Sequence, residues 1–386
     1  MKQKFIFWKY ALVALSSMIV LMSCEKTIMK PEGNKPPLPT KHTSKLATIL
    51  DSLRYELDLP ALAGAIVTDT SIIDAQAVGC RRYGGAANIT NNDQFDLGSN
   101  TKAITAVLIG KLIDEGLLNW TTTLPEVFPE YANTMRPEYK EVTILNLLSH
   151  SSGFMRDSPD FPTGTPREQR AAMVQWTLNR PPVTTRGNYL YSNLGYNTLG
   201  AIAEKLTNIQ FEELLVVKVL KPLGITTAGF GPRGTPGLED QPLQHTNGRA
   251  PIEPTPDSNL GFIYSPSGKL HMSIVDWAKY IQWVLAAEAG HQTLVSKQTA
   301  VQLTSSIVSC DGGTYYACGW MIYNSDWAGG RAIGHNGSNG YNYSDAALAP
   351  IKHFAVIAAT NMGPGDMANP LDPVAVRLIM LHSTNR

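Results

Sequence analysis

Ser99-Asn100-Thr101-Lys102 places a hydroxyl and an amine three residues apart. On a helix that spacing sets both side chains on one face, a single turn from each other. A serine hydroxyl is a weak nucleophile at neutral pH and needs a base within hydrogen-bond reach. A lysine can be that base when burial and a helix N-terminus both disfavour its ammonium form. The pair suits nucleophilic acyl transfer through Ser99. Further along, Tyr191-Ser192-Asn193 offers a second proton carrier, Tyr191. It also offers an amide, Asn193, that can donate to a substrate and accept from Lys102. Tyr191 beside a lysine cation would have its phenolate form favoured. Which of Lys102 and Tyr191 takes the serine proton first stays open, and the two would titrate as a unit. His335-Asn336-Gly337 follows a strand-like run, and Gly337 and Gly340 suit an edge where substrate approaches the backbone.

Each pattern is weak alone. A serine three residues before a lysine recurs at Ser23 and Lys26, and Tyr-x-Asn recurs at Tyr131-Ala132-Asn133. Taken singly, Ser99 is a helix N-cap, Lys102 a solvated first-turn lysine, Tyr191 a packed aromatic, Asn193 a turn former and His335 a loop histidine. Order and setting raise the signal: the first motif opens an apolar helix, the second follows a loop, and the third follows a strand. Gly229-Phe230-Gly231-Pro232-Arg233-Gly234 matches a dinucleotide fingerprint in letters only. It follows no strand, opens no helix and contains a proline, so it is rejected. No cysteine or histidine spacing suits a metal, and no cofactor is expected.

The elements that must position these groups fall into three zones. Residues 45–57 form an amphipathic helix, and residues 61–68 and 71–79 form a hairpin. Residues 95–120 form a strand end, a turn at Gly98 and a long helix with Ile104, Val107, Leu108, Leu112, Ile113 and Leu117 on one face. From 121 to 260 the chain is helices and proline- and glycine-rich loops without strands. After 261 come a helix at 273–287, strands at 316–323, 331–334, 343–348 and 353–360, and a last helix at 373–382. Strands near both ends imply one sheet completed by both parts of the chain. The expected fold is α/β (α+β): an antiparallel sheet flanked by N- and C-terminal helices, with an inserted all-α domain. The α/β domain would comprise 44–120 and 261–386, and the insert 121–260.

Composition sets the outer bounds. With 386 residues, 43% of them hydrophobic, the chain can bury a large core. Its formal net charge of zero gives no basic excess for phosphate contacts, so nucleic acid is a poor partner. Lys2, Lys4 and Lys9 precede an apolar run at 11–22 that is too short to span a bilayer. Residues 1–23 therefore read as a signal peptide. Leu21-Met22-Ser23-Cys24 resembles the lipobox of bacterial lipoproteins, which makes Cys24 the expected lipidation site. Residues 24–43, rich in proline, read as a tether. An exported, membrane-anchored protein would face the periplasm from the inner or outer membrane. Export permits disulfides, and Cys310 and Cys318 bracket a Gly-Gly turn across which they could pair. Cys80 reads as a free thiol.

The ordered motifs resemble those of the serine β-lactamase and penicillin-binding-protein superfamily, most closely its class C branch. That branch holds class C β-lactamases, D-alanyl-D-alanine carboxypeptidases, D-amino-acid peptidases and esterases. The run Leu147-Leu148-Ser149-His150-Ser151-Ser152-Gly153 is similar to a segment of the same branch, as is the run 225–231. The resemblance, over roughly residues 45–382, implies a Ser99 acyl-enzyme, with Lys102 and Tyr191 moving protons and Tyr191 protonating the leaving group. It implies an oxyanion site from the backbone N–H groups of Ser99 and Ser338, and a structural role for His150. The substrate would be a small molecule or cell-wall peptide: a β-lactam, a D-amino-acid peptide or an ester. The alternative function is an inactive protein that only binds cell-wall peptide. One departure matters. Many β-lactamases carry a lysine where this chain has His335, and that lysine helps hold a substrate carboxylate. A largely neutral histidine weakens the case for carboxylate substrates, with Arg331 as a compensating cation.

Overall fold

A computed structural model of the chain describes residues 36–384, apart from 257, 259, 292, 293 and 366–368. The signal segment and Cys24 lie outside the described residues. Chain order begins with α1 (Lys45–Glu56), the hairpin β1 (Ala61–Thr68) and β2 (Ile72–Gly79), then β3 (Gln94–Asp96) and α2 (Thr101–Asp114). The helical region carries α3 (Leu124–Val127), α4 (Ile144–Leu148), α5 (Pro166–Leu178), α6 (Asn193–Thr207) and α7 (Phe211–Leu215). It also holds two short strands that the sequence did not announce, β4 (Gln244–His245) and β5 (Pro251–Ile252), which pair with each other. The chain then returns through β6 (His271–Ser273), α8 (Ile274–Glu288) and α9 (Lys297–Thr304). Six strands follow: β7 (Val308–Asp311), β8 (Thr314–Tyr316), β9 (Met321–Ser325), β10 (Gly330–Gly337), β11 (Tyr343–Ala349) and β12 (Phe354–Thr360). The last element is α10 (Asp372–Thr384).

The main sheet runs β2-β1-β12-β11-β10-β9-β8-β7, and its neighbours are antiparallel. β1 pairs with β12 over its length, from Leu62 opposite Thr360 to Thr68 opposite Phe354, so the sheet is closed by the two ends of the fold. Its central strands are covered on both faces, which is why they read as unbroken apolar runs. Period-two alternation sorts their side chains. Leu62, Ile66, Val356 and Ala358 pack with Leu46 and Leu50 of α1 and Val374 and Leu378 of α10. Ala61, Ala63, Ala65, Ala355, Ile357 and Ala359 turn the other way, into the larger cluster with α2 and with Trp277 and Ile281 of α8. The small residues on that side leave room for the two helices. The same cluster continues through Leu124, Phe154 and Leu199 of the helical region.

Three readings change. α2 ends at Asp114, and Leu117, expected on its apolar face, is 43% exposed. The helix is buried almost all round rather than on one stripe, because it lies between the sheet side of the fold and α6 and α9. Residues 36–43, at the end of the expected tether, lie against α1. Buried Arg54 donates to the Pro37 carbonyl at 2.7 Å and to Asp51 at 2.7 Å, and Asp51 takes the Thr40 N–H at 2.8 Å. A buried arginine and aspartate need these partners. The cysteines Cys310 and Cys318 are free thiols. The expected hairpin is there, but Val308 pairs with Tyr316, which puts Cys310 toward its turn and Cys318 beyond its far end.

Candidate active site

Ser99 lies in a single 3-10 turn, Gly98–Asn100, that leads into α2. It is not the N-cap of the helix; Asn100 holds that position. The turn is pressed against the end of β10. Gly98 adopts φ +49°, and a Cβ there would meet Ser338 N at 2.4 Å. A Cβ on Gly337 would meet Leu97 O at 2.0 Å and Ser99 N at 2.6 Å. Both positions need glycine for close backbone approach, and Gly98 also needs it for its left-handed conformation. Side chains from β11 stitch the turn in place. Asn100 Nδ2 donates to Ser344 Oγ at 2.8 Å, and Ser344 Oγ donates to Leu97 O at 2.7 Å. The backbones of Ser99 and Ser338, the expected oxyanion donors, are therefore brought to one place.

Lys102 is fully buried. Its Nζ is 3.1 Å from Ser99 Oγ, 2.7 Å from Asn193 Oδ1 and 2.7 Å from Ser267 O. Burial holds its pKa well below the ordinary lysine value; nearby Asp157 opposes this and Arg156 adds to it. Asn193 is the first residue of α6, whose N-cap is Ser192. Asn193 Nδ2 donates to Asp157 Oδ1 at 2.7 Å, so the carboxylate fixes the amide with its oxygen toward Lys102. A neutral amine has two N–H donors and one lone pair. Two of its hydrogens go to oxygens that only accept, so the third position of Nζ faces Ser99 Oγ, as an N–H in the ammonium and as the lone pair in the neutral amine.

Tyr191 lies over this group, its ring centre 4.8 Å from Lys102 Nζ. Burial raises its pKa above the ordinary phenol value. The phenolate expected beside a lysine cation is thus not favoured. Desolvation acts on both groups, disfavouring the ammonium as well as the phenolate. His150 sits beneath, at φ +60°, with its ring 4.3 Å from Tyr191 and 4.5 Å from Tyr316. Its Nδ1 accepts the Ser192 N–H at 3.1 Å. It is a spacer that seats Tyr191 and the start of α6.

His335 faces inward from β10 and is buried. Its Nδ1 lies 2.6 Å from the Asn336 carbonyl and its Nε2 3.0 Å from Tyr316 Oη. A carbonyl only accepts, so Nδ1 carries the proton and Nε2 accepts from the tyrosine. Burial, and then Lys102, push its pKa down to about 4. Arg331 does not compensate. It donates to Glu288 at 2.6 Å and to Thr304 O at 2.7 Å.

The structure thus gathers Ser99, Lys102, Tyr191, Asn193, His335, Gly337 and Ser338. Sequence reasoning missed Asp157, Ser267 and Tyr316. Asp157 sits in a loop with no periodic signal, and Ser267 acts through a backbone carbonyl, which no residue type reveals. Ser99 and Asn193 open onto a cleft of about 1050 Å³, walled by Asp157, Asp160, Phe161, Phe262 and Tyr264. Among the described residues no cluster of acidic, histidine or cysteine side chains suits a metal ion.

Residues 46–380 match the family described as Beta-lactamase. Penicillin-binding protein 4 of Amycolatopsis lactamdurans is 27% identical over 328 residues, covering 81% of this chain and 84% of its own. Protein flp of Staphylococcus aureus strain MRSA252 is 23% identical over 82% of this chain, which spans 62% of that protein's length. The octameric penicillin-binding protein homologue from Pyrococcus abyssi superposes with a TM-score of 0.73 at 25% identity, covering 88% of this chain and 77% of that one. D-alanine carboxypeptidase AmpC from Burkholderia cenocepacia shares the fold, with a TM-score of 0.69 at 19% identity over 87% of this chain and 97% of that one.

Proposed function

Given that the chain belongs to the beta-lactamase family, we propose that it is a serine hydrolase that works through a Ser99 acyl-enzyme. The observation that carries this reading is the placement of buried Lys102 Nζ, held by Asn193 Oδ1 and Ser267 O at 3.1 Å from Ser99 Oγ, within reach of the serine proton. Ser99 Oγ attacks a carbonyl carbon of an ester, amide or β-lactam, and its proton passes to Lys102 Nζ. Charge collects on the carbonyl oxygen between the N–H groups of Ser99 and Ser338, where each donor is worth about 10²–10³ in rate. Collapse of this intermediate expels the leaving group. Tyr191, a phenol at neutral pH, gives it a proton and is resupplied by the lysine ammonium. Water then attacks the ester carbonyl, the same groups take its proton, and Ser99 is released.

Turnover is favoured over mere binding because Lys102 bonds Ser99 and Asn193 and the Tyr191 ring lies over its Nζ, so the groups these steps require stand together. The mature protein is treated with a fluorescent penicillin and a fluorophosphonate, alongside Ser99→Ala. Labelling of the wild type by either probe, lost in the variant, supports the reading. No labelling of the wild type, or equal labelling of the variant, overturns it. We further propose that the protein is a lipoprotein anchored through Cys24. Cys24→Ala is expected to move it into the soluble fraction; continued membrane association contradicts this.

A further inference from the structure

The cleft in front of Ser99 has a sign. Of the residues that line it, Asp157 and Asp160 are the acidic ones, and no lysine, arginine or histidine is among them. Lys102 lies behind the wall, buried and committed to Ser99, Asn193 and Ser267, and His335 is neutral. Lys269, behind Phe262, is buried and donates to the Leu260 carbonyl. Arg170, bonded to the Phe262 carbonyl, is paired with Glu204 and Glu212, and Arg156 has its Nε 3.4 Å from Asp157 Oδ2 and its guanidinium over the Tyr191 ring at 5.7 Å. Asp157 is thereby matched by one arginine. Asp160 is exposed and has no ion pair among the described residues. One negative charge is left over. The neighbouring walls are aromatic: Phe161, Phe262 and Tyr264. Aromatic faces beside a carboxylate favour an ammonium group over a carboxylate. Tyr264 senses the same field, for its phenol is held above its usual range by burial first and then by Asp157 and Asp160.

Resting on the Ser99 reading above, we propose that the cleft selects acyl donors that carry a cationic amine, with Asp160 as the specificity-determining residue, and discriminates against those with a free carboxylate. The amine seats between Asp160 and the aromatic walls while the scissile carbonyl lies at Ser99. Asp157 is less available, because its oxygens already serve Asn193 and Arg156.

The test uses fluorophosphonates matched in size, bearing a quaternary ammonium, an isosteric tert-butyl group or a carboxylate. In each, the Ser99 Oγ–P bond forms as P–F breaks and fluoride leaves. One set carries the charge on the carbon-bound chain and a second on the alkoxy chain, which separates an amine on the acyl side from one on the leaving side. In at least one set the ammonium probe is expected to label about 5-fold faster than the neutral one and the carboxylate probe slower still. High salt should compress the order. Asp160→Asn should bring the three rates together, and Asp160→Lys should reverse them. Asp160 is exposed, so both variants are expected to fold. Equal rates in the wild type, fastest labelling by the carboxylate, or an order unchanged in both variants overturns the proposal. If neither these probes nor the fluorescent penicillin labels the wild type, the acyl-enzyme reading itself fails, which is a distinct outcome; labelling by the penicillin alone overturns only the present proposal.

Discussion

Lys102 Nζ stands 3.1 Å from Ser99 Oγ and 2.7 Å from each of two oxygens that can only accept, Asn193 Oδ1 and Ser267 O. On the proposed acyl-enzyme reading, that relationship suits the lysine to act as a base. Two fixed acceptors absorb the N–H groups of a neutral amine, and burial removes the solvent that would stabilise a cation.

Replacing Lys102 by methionine should lower the rate of Ser99 acylation by about 10²–10⁴, the range for loss of a positioned base. Arginine should do no better, because a guanidinium stays protonated. Thermal stability should fall only modestly, since Lys102→Met leaves two buried acceptors without partners at about 1–3 kcal/mol. Acylation kinetics and a melting curve on the same preparation check this. A folded Lys102→Met protein with full activity contradicts it.

The acid limb of activity should belong to Lys102. Burial holds its pKa well below the ordinary value, so the amine persists to lower pH than in a free lysine and is lost as pH falls through the lowered pKa. Asn193→Asp puts a carboxylate beside Nζ, favours the ammonium and should shift the limb to higher pH. The pH profile of the Ser99 labelling rate reads this apart from any change in substrate affinity. A limb that stays in place, or moves toward acid, contradicts the assignment.

Gly337→Ala should abolish labelling while leaving the fold largely intact. The added methyl would lie 2.0 Å from Leu97 O and 2.6 Å from Ser99 N, so the nucleophile turn or the β10 end must move. Displacing one oxyanion donor costs about 10²–10³ in rate. Circular dichroism together with probe labelling checks it, and a native-like, fully labelled variant rules it out.

How much of this was legible in the sequence depended on the kind of signal. The sheet strands were visible because burial on both faces makes them apolar throughout, as in β1 and β12. Ser99, Lys102, Tyr191 and His335 were legible from their order along the chain. The protonation states were not. A phenolate at Tyr191 follows from a neighbouring lysine cation, but desolvation outweighs that attraction at Tyr191 and disfavours the cation as well. The full burial of α2 was hidden as well, because its outer face is covered by α6 and α9, which are distant in sequence. Cys310 and Cys318 bracket the right hairpin, yet the strand register that keeps them unpaired is a tertiary fact.

Stability should depend on pH in two opposed ways. Asp345, on β11 opposite Asn336, has its carboxyl pushed up to about 7, chiefly by burial. Its contribution is fully present below the unfolded value near 3.8 and is lost as pH rises through about 7. His245, His271 and His335 are all held down to about 4 by burial. They destabilise the fold as pH falls from about 6.5 toward 4, because the unfolded chain binds their protons first. Three groups outweigh one, so the wild type should lose stability on acidification. Asp345→Asn isolates the smaller effect. It should be more stable than the wild type at pH 8, by on the order of 2 kcal/mol after allowance for partial exposure, and equal to it near pH 4. Melting curves across pH check this, and a difference that grows toward acid contradicts it.

The most direct test is to trap the covalent intermediate and find its position. Wild-type protein is quenched in acid during reaction with a slowly released β-lactam or activated ester, digested, and mapped by mass spectrometry. The acyl mass is predicted on Ser99, absent in Ser99→Ala and strongly reduced in Lys102→Met. An adduct on any other residue, or an unmodified Ser99 in an enzyme that turns the substrate over, would contradict the acyl-enzyme claim.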